Sequence, residues 1–421
     1  MEIMSGKGST QSQKNTCPHL GEAYQPFVNP QLDDPYSFYE RARSEEPLFY
    51  SPLLDAYVLT RYDDIQTVLK DPTRFSSADA LRPIVHFPPE VLEILSQGYP
   101  DVPTMLNSDG ENHKRLRLPF TKAFAPEQLE ALEDSVRAIA NRLVDNFVND
   151  GHADIISQFA CPLPLEVILI MYGIPLEMGT DIKKWCDDRT ALRSSQLTKE
   201  RQLECARSHV AMQQAIAALI EERRIKPRND LISDIVTSDL GMSELVILLI
   251  GIILAGHQTT THLIGNALKL LLEQQQFWQA LCKDPSLIPF VLEEVLRYDT
   301  SVPSMIRTTT QEVSLAGVTL PKGSRIFLMY SSANRDEAQY PDADRFDIER
   351  FQHVSVNHLA FGYGIHHCLG ANLARREGRI ALEVLSKRLP NLRLRPNQQL
   401  DHIPTMMVRG FTQLYVEWDV T

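Results

Sequence analysis

The sequence predicts an α+β fold that is mostly α-helical. Apolar residues recur at helical spacing, one segment after another, through residues 127–275. Strand-like patterns return only in short pieces, at residues 314–315, 325–330 and 413–418. Since no Gly/Ser-rich or Pro-rich linker follows the first residues, we expect a flexible N-terminal segment over 1–30 and a single domain over 31–421.

The first hundred residues are predicted to hold short helices, one hairpin and an irregular segment. A helix is expected over residues 34–43 and a hairpin over 48–59, followed by a short helix that stops near Asp71. Residues 81–103 are punctuated by prolines and rich in apolar side chains. Such a segment is either a cover over a pocket or a surface loop with a short helix packed on the body.

Composition and charge exclude several classes of protein. Apolar residues at 43% and charged residues at 23% are ordinary for a soluble globule. Because the formal charge is −12 and no basic stripe stands out, nucleic acid is not expected as a partner. The polar N-terminus lacks a signal-peptide pattern, and the longest apolar run, residues 245–255, is shorter than the ~20 residues of a membrane span. The six cysteines are scattered, so we expect a cytoplasmic protein without a membrane anchor.

The most informative stretch is Phe-Gly-Tyr-Gly-Ile-His-His-Cys-Leu-Gly at residues 361–370. Apolar residues at helical spacing follow it, so Cys368 is expected at or just before a helix N-terminus, where free N–H groups and the macrodipole lower the pKa of a thiol. The glycines allow a tight turn and a close approach to a flat ligand. A thiolate on haem iron donates electron density that promotes O–O cleavage.

Two other interpretations of this loop stay open on its residues alone. Cys368 can be an inert buried thiol. Alternatively His366, His367 and Cys368 can contribute to a zinc site, since histidine and cysteine are common zinc ligands. Zinc is disfavoured because adjacent side chains rarely close on one tetrahedral ion, and the sequence has no second CxxC or HExxH.

The loop resembles the haem-binding loop of the cytochrome P450 family, and the chain is similar to its soluble bacterial-type members. The resemblance covers almost the whole length, with further motifs in the family's order. These motifs are His-Lys-Arg-Leu-Arg at 113–117, Ala-Gly-His-Gln-Thr-Thr at 255–260, Glu-Val-Leu-Arg at 294–297, Arg307, Ala-Asn-Arg-Asp at 333–336 and Phe-Asp-Ile-Glu-Arg at 346–350. The resemblance implies a helix-rich triangular body with a small β-rich region, and haem between a long central helix and the cysteine loop.

Haem b is the cofactor that the resemblance implies, with Cys368 as the axial ligand of its iron. His113 and Arg117 lie one helical turn apart, and they suit either a ligand's carboxylates or a solvated helix face. The resemblance implies that both, with Arg307 and His366, bind the haem propionates.

A cluster of three charged residues is predicted before the cysteine loop. Glu294 and Arg297 are three residues apart and share a helix face, which by itself indicates only a modest ion pair. The resemblance adds Arg350 and implies that the three residues fix the loop before Cys368.

The apolar pattern predicts a buried helix over residues 242–272, and the resemblance implies that this helix crosses the distal side of the haem. Ala255 and Gly256 leave space beside the Thr259 hydroxyl, which indicates either a tight helix crossing or, by resemblance, the place where oxygen is activated. Position 258 is Gln where the family has an acid. An amide cannot accept and release a proton as a carboxylate does, so we expect Thr259, Gln258 and water to manage proton delivery.

The substrate pocket is sketched by resemblance alone. Its expected residues are Gly251, Leu254, Ala255, Pro303, Met305 and Met407. Nearly all are apolar, which favours a small apolar organic substrate. Arg82 can anchor a substrate carboxylate, although an exposed arginine is the simpler interpretation.

The function implied is that of a monomeric haem–thiolate monooxygenase that hydroxylates or epoxidises a lipid, terpene, steroid or polyketide-like molecule with O2. No reductase domain is expected after the last strand, so a separate ferredoxin- or flavodoxin-type donor with its NAD(P)H reductase is expected. Lys114, Arg115, Arg375 and Arg376 lie near the haem motifs and suit either an acidic donor or solvent. Two alternatives remain, a peroxide-using or non-oxygenase haem–thiolate enzyme and a non-catalytic haem or ligand-binding protein.

Overall fold

The computed structural model describes residues 20–82, 87–194, 197–353 and 357–420. Most of these residues lie in α-helices, which vary from one turn to 32 residues in length. In chain order they are α1 (Leu20–Ala23), α2 (Tyr36–Glu45), α3 (Tyr62–Lys70), α4 (Pro89–Leu95), α5 (Gly110–Thr121), α6 (Pro126–Ala131), α7 (Glu133–Asp145), α8 (Pro162–Tyr172), α9 (Gly179–Ser194), α10 (Lys199–Ile225), α11 (Leu231–Ile235), α12 (Met242–Glu273), α13 (Gln275–Lys283), α14 (Ile288–Tyr298), α15 (Tyr330–Ala333), α16 (Arg350–His353) and α17 (Ala371–Arg388).

Short strands form three small sheets at the edges of the helical body. They are β1 (Leu48–Ser51), β2 (Ala56–Leu59), β3 (Phe75–Ser76), β4 (His152–Asp154), β5 (Ser304–Thr309), β6 (Val313–Leu315), β7 (Val318–Leu320), β8 (Arg325–Met329), β9 (Arg393–Leu394) and β10 (Tyr415–Glu417). The largest sheet has the order β1-β2-β8-β5-β3, and only its β2–β8 pair is parallel. The others are β4-β10-β9 and the hairpin β6-β7.

Helix α12 is the centre of the core, as its apolar sequence predicts. Most of its 32 residues are buried, and it packs against α8, α10, α14 and α17. By length and composition alone α12 would also suit a membrane span. Its neighbours cover it on several sides, which is typical of a core helix in a globular protein.

The mostly helical α+β fold is confirmed, and three local expectations need correction. The flexible segment expected over 1–30 does not extend to its end, because α1 and Tyr24 pack in a cluster with Phe38 and Phe49. Residues 1–19 lie outside the described part of the chain. Strand β4 interrupts the stretch expected to be purely helical, and β5 was not expected because Ser304 and Arg307 mask its pattern.

Residues 81–103, predicted to be irregular, both pack a short helix on the body and border a cavity. Its short helix α4 packs on α10 and buries Val91. At one end Leu81 reaches a central cavity, together with Thr104 and Met105 just beyond the other end. Residues 83–86 lie outside the described part of the chain.

Candidate active site

The cysteine loop, residues 361–370, leads directly into α17, and its backbone conformation fixes its shape. Gly364 has φ +71°, and a β-carbon there would lie 2.7 Å from the Leu69 carbonyl oxygen, so only glycine fits this position. The Cys368 N–H donates to the Phe361 carbonyl oxygen at 2.9 Å. The loop therefore presents Cys368 just before the first turn of α17, as its sequence predicts.

Cys368 faces a cavity of about 250 Å³ that lies between the loop and α12. Gly251, Ala255 and Thr259 of α12 line the opposite wall, because residues four apart share one face of a helix. Met305 and Arg307 line it from β5, because alternate residues of a strand point the same way. The predicted ligand and the predicted oxygen-activating segment thus border one space.

Although Cys368 is accessible from the cavity, desolvation by the surrounding protein atoms changes its expected acidity. It raises the pKa of the thiol above its ordinary value, and the Gly370 N–H together with the cations of Arg117 and Arg375 offsets only part of this. The lowered pKa expected from the helix N-terminus is therefore outweighed by burial. A metal cation bound to the sulfur would stabilise the thiolate.

The cavity wall offers unpaired hydrogen-bond donors that suit the two propionates of a haem. Arg307 donates only to the neighbouring Ile306 carbonyl at 2.8 Å, and Arg117 to the His367 carbonyl at 2.7 Å. Neither has a carboxylate partner among the described residues. The buried His113 Nε2 has no hydrogen-bond partner there either. Two cations and an orphaned imidazole nitrogen are what buried carboxylates require, so these residues fit haem.

His366 lines the same cavity and is anchored from behind. Its Nε2 lies 3.0 Å from Ser77 Oγ and 3.6 Å from Asp109 Oδ1, and its ring is 4.5 Å from that of His113. Burial lowers the pKa of His366 to about 4, so the ring is neutral at pH 7. A neutral imidazole can still donate one hydrogen bond to a propionate.

The zinc interpretation gains no support from the geometry. Across the described ranges of the chain, no group of three or more His, Cys, Asp or Glu side chains could hold a metal ion. A metal bound by Cys368 would need a cofactor to supply its other ligands.

The predicted charged cluster assembles in the core beside the loop. Arg297 forms two hydrogen bonds with the Glu294 carboxylate, at 2.7 and 2.8 Å, and Arg350 Nε donates to the same carboxylate at 3.2 Å. Both arginines also donate to backbone carbonyls, including that of Arg345. The cluster ties α14 to the segment that leads into the cysteine loop.

On the distal wall, Thr259 and Gln258 point to different neighbours. The Thr259 hydroxyl donates to the Ala255 carbonyl at 2.8 Å and borders the cavity. The Gln258 amide instead contacts Thr190 of α9 at 3.2 to 3.3 Å and is not among the cavity-lining residues. Buried His257 contacts the Ile253 carbonyl oxygen at 2.8 Å.

Three of the expected pocket residues do not line the cavity. Leu254 lies on another side of α12 and packs against the core. Pro303 precedes β5, and its carbonyl accepts the Ser331 N–H at 3.1 Å. Met407 is 37% exposed. At Leu254 and Pro303 the expected segment lines the cavity through neighbouring residues, whereas no residue of the C-terminal segment that holds Met407 is among the lining residues.

Several lining residues were not predicted, and one of them is charged. Met105 and Leu248 extend the apolar wall, and Arg189 of α9 borders the same space. A helical arginine ordinarily faces solvent, so no local pattern distinguishes Arg189 from its neighbours.

The four cations considered as a docking site for an electron donor all have acidic partners within the chain. The pairs are Lys114 with Glu111, Arg115 with Glu244, Arg375 with Glu293 and Arg376 with Glu133. An acidic donor would have to compete with these pairs.

Comparison with known proteins gives a consistent family. A family model described as "Cytochrome P450" matches residues 54–413. The chain is similar to the mycinamicin IV hydroxylase/epoxidase of Micromonospora griseorubida, with 35% identity over 86% of this chain and 90% of that protein. Its structure is similar to that of cytochrome P450 CREJ in complex with (4-ethylphenyl) dihydrogen phosphate, with a TM-score of 0.89, 31% identity and coverage of 94% and 99%. It also resembles an intact type IV self-sufficient cytochrome P450 monooxygenase, with a TM-score of 0.89, 33% identity and coverage of 95% and 53%. The chain therefore belongs to the cytochrome P450 family of monooxygenases.

Proposed function

We propose that this chain binds haem b through Cys368 and inserts one atom of O2 into an apolar organic molecule, by hydroxylation or epoxidation. The observation that carries the proposal is that the Cys368 loop and the face of α12 with Ala255 and Thr259 border one cavity. When bound to a thiolate, haem supplies the chemistry of O–O cleavage.

The residues around the cavity have distinct roles in this proposal. Arg117 and Arg307 bind and orient the propionates with charge-assisted hydrogen bonds, assisted by His113 and His366. The Thr259 hydroxyl holds a proton at the cavity wall. Gln258 has no ionisable group and its amide contacts Thr190 of α9, so water beside Thr259 relays the protons and Gln258 supports this face of α12.

The substrate is expected to be largely apolar, because Met105, Leu248 and Met305 form much of the wall. Methionine side chains adapt their shape, so the wall can accept a bulky body. The similar mycinamicin IV hydroxylase/epoxidase favours a polyketide-like molecule among the lipid, terpene, steroid and polyketide classes.

We further infer a monomeric cytoplasmic enzyme served by a separate ferredoxin- or flavodoxin-type donor and its NAD(P)H reductase. The described cysteines, Cys161, Cys186, Cys205, Cys282 and Cys368, are all free thiols, which favours a reducing compartment. The similar hydroxylase/epoxidase extends little beyond the part that this chain matches, which favours a separate donor over a fused reductase.

The test begins with the purified haem-loaded protein, reduced under carbon monoxide. Thiolate ligation predicts a strongly red-shifted Soret band, which Cys368→Ser should lose. Turnover is then measured with a ferredoxin, its NADPH reductase and a panel of apolar substrates. Product that carries one oxygen atom from labelled O2 supports the proposal, and absence of the red-shifted band in the unsubstituted protein contradicts it.

One observation favours a peroxide-using enzyme as the alternative. Gln258 replaces the family's acid, and its amide turns towards Thr190. Proton delivery after reduction is the step that this replacement weakens, and hydrogen peroxide already carries the protons and electrons. Faster product formation with hydrogen peroxide alone than with O2 and the donor pair would favour this alternative.

A further inference from the structure

A second cavity, of about 270 Å³, lies next to the one bordered by Cys368. It is enclosed by α9, α10 and the segment that contains α4, and its walls are mainly apolar. The apolar lining residues are Phe87, Leu92, Leu95, Tyr99, Pro100 and Leu192. Arg189 lines both cavities, so its side chain lies at the boundary between them.

Arg189 forms no ion pair with a carboxylate among the described residues, although Asp101, which pairs with Arg193, lines the same cavity and attracts the Arg189 charge from farther away. The Arg189 Nη1 contacts only the ring nitrogens of His209, at 3.2 and 3.3 Å. Burial lowers the pKa of His209 to about 3, so this ring is neutral at pH 7 and adds no second positive charge beside the guanidinium. Burial also lowers the pKa of Arg189, to about 10, which leaves the guanidinium protonated at pH 7.

The neighbouring Arg193 shows the contrast. It pairs with Asp101 Oδ2 at 2.9 Å and donates to the Leu81 carbonyl at 2.6 Å, so its charge is satisfied by the covering segment. Both arginines lie on α9, one turn apart. Because Asp101 is already bound by Arg193, the buried Arg189 charge has no ion-pair partner of its own among the residues described, and its position suits an anion that arrives with a ligand.

We propose that Arg189 binds an anionic oxygen group of the substrate, a carboxylate or a phosphate. The substrate is then an amphipathic anion whose apolar body lies along the Met105 and Leu248 wall while its charged end stays at the guanidinium. The planar fork of arginine matches both groups through paired N–H···O bonds. This inference rests on the proposed monooxygenase function and narrows its substrate class.

The test is isothermal titration calorimetry of the haem-loaded protein with three probes of one chain length, namely decanoate, decyl phosphate and 1-decanol. At least one anion should bind about tenfold or more tightly than the alcohol, as expected for a charge-assisted hydrogen bond. Arg189→Gln should remove this preference and leave the affinity for 1-decanol within about twofold. Arg189→Lys should keep part of it. The stronger anion identifies the group, carboxylate or phosphate.

A matched control and an independent readout keep the result unambiguous. Arg41→Gln alters a surface arginine of α2 outside both cavities and should leave all three affinities unchanged. Circular dichroism of Arg189→Gln checks that it is folded. Equal affinities for anion and alcohol in the unsubstituted protein, or a preference that survives in Arg189→Gln, would overturn the proposal. Calorimetry needs no turnover, so a missing thiolate spectrum would remove the proposed function without deciding the anion site.

Discussion

The two sides of the cysteine-lined cavity differ in whether their polar and charged side chains are paired with other protein groups. Beneath the cysteine loop, the fully buried carboxylate of Glu294 accepts hydrogen bonds from Arg297, Arg350 and the Asp347 N–H. On the α9 and α12 side, the Arg189 guanidinium hydrogen-bonds to a neutral histidine, and Asp101 lies farther away. Within the described part of the chain, the Thr259 hydroxyl bonds only to its own helix.

This difference follows from what each side has to do. Buried charges that bind one another fix the positions of the segments that carry them, so α14 and the lead-in to the cysteine loop are held together. Groups without protein partners remain available to a ligand. The paired charges therefore mark the side that holds the cysteine loop in place, and the unpaired groups mark the side that can bind a ligand.

The largest effect on stability should come from removing one arginine of the Glu294 cluster. Arg297→Ala leaves Glu294 with one arginine in a dry core, and we expect it to destabilise the fold by about 3–5 kcal/mol. Arg41→Ala, which breaks an exposed pair whose side chains are 40% and 55% accessible, should cost less than about 1 kcal/mol. Urea unfolding of the two variants measures the difference. Similar losses in both would mean that the buried cluster does not stabilise the loop.

Glu377 of α17 differs from Glu294, because it is a buried carboxyl group that none of the described arginines pairs with. It is 1% exposed, and neither of its carboxyl oxygens has a hydrogen-bond partner among the described residues. The hydroxyl of nearby Thr260 donates instead to the Gly256 carbonyl at 3.2 Å. Burial raises the pKa of Glu377 from 4.5 to about 8, so it is neutral at pH 7.

A pH dependence of stability follows from Glu377. Below pH 4.5 the carboxyl is protonated in both states, and between pH 4.5 and 8 only the unfolded chain ionises, so stability falls as the pH rises. The loss should be on the order of 3 kcal/mol at pH 7. Glu377→Gln should remove this pH-dependent loss of stability. The melting temperature of the variant minus that of the unsubstituted protein should therefore increase from pH 5 to 8. A constant difference across this range would place the pKa of Glu377 near its ordinary value.

The paired side was largely predictable from the sequence, because its signals are local. The glycine spacing around Cys368 and the spacing of Glu294 and Arg297 each depend on residues close in the chain. Arg350 came from the family resemblance alone. Even there, burial reversed the expected pKa shift of Cys368, because desolvation depends on the whole fold.

The unpaired side was predictable only in outline. The rotation of α12, which turns Leu254 away from the cavity, depends on helices packed around it. In the sequence Arg189 cannot be distinguished from other helical arginines. Its burial depends on α10 and residues 87–101, which are distant in the chain and line the same cavity.

The haem-facing wall offers the next test of the comparison. Arg307→Leu removes one of the two cations proposed to bind the propionates, and haem should leave the protein about 10- to 100-fold faster, as expected for loss of a charged hydrogen bond. Haem transfer to an acceptor apoprotein measures the rate. The control Arg393→Leu breaks an exposed pair with Asp419 and should not alter it. An unchanged rate for Arg307→Leu would show that Arg307 binds no propionate.

The smallest effect is expected at Gln258, which links α12 to Thr190 of α9 without facing the cavity. Gln258→Glu would add an ionisable group next to Thr259, and we expect the ratio of product to released peroxide to rise by about threefold to tenfold. The effect should stay below that of a positioned general acid, because the side chain points towards α9. Gln258→Met removes the contact with Thr190 without adding charge, so it isolates the loss of the hydrogen bond. If both variants change the ratio equally, the contact with α9 matters and proton transfer at this position does not.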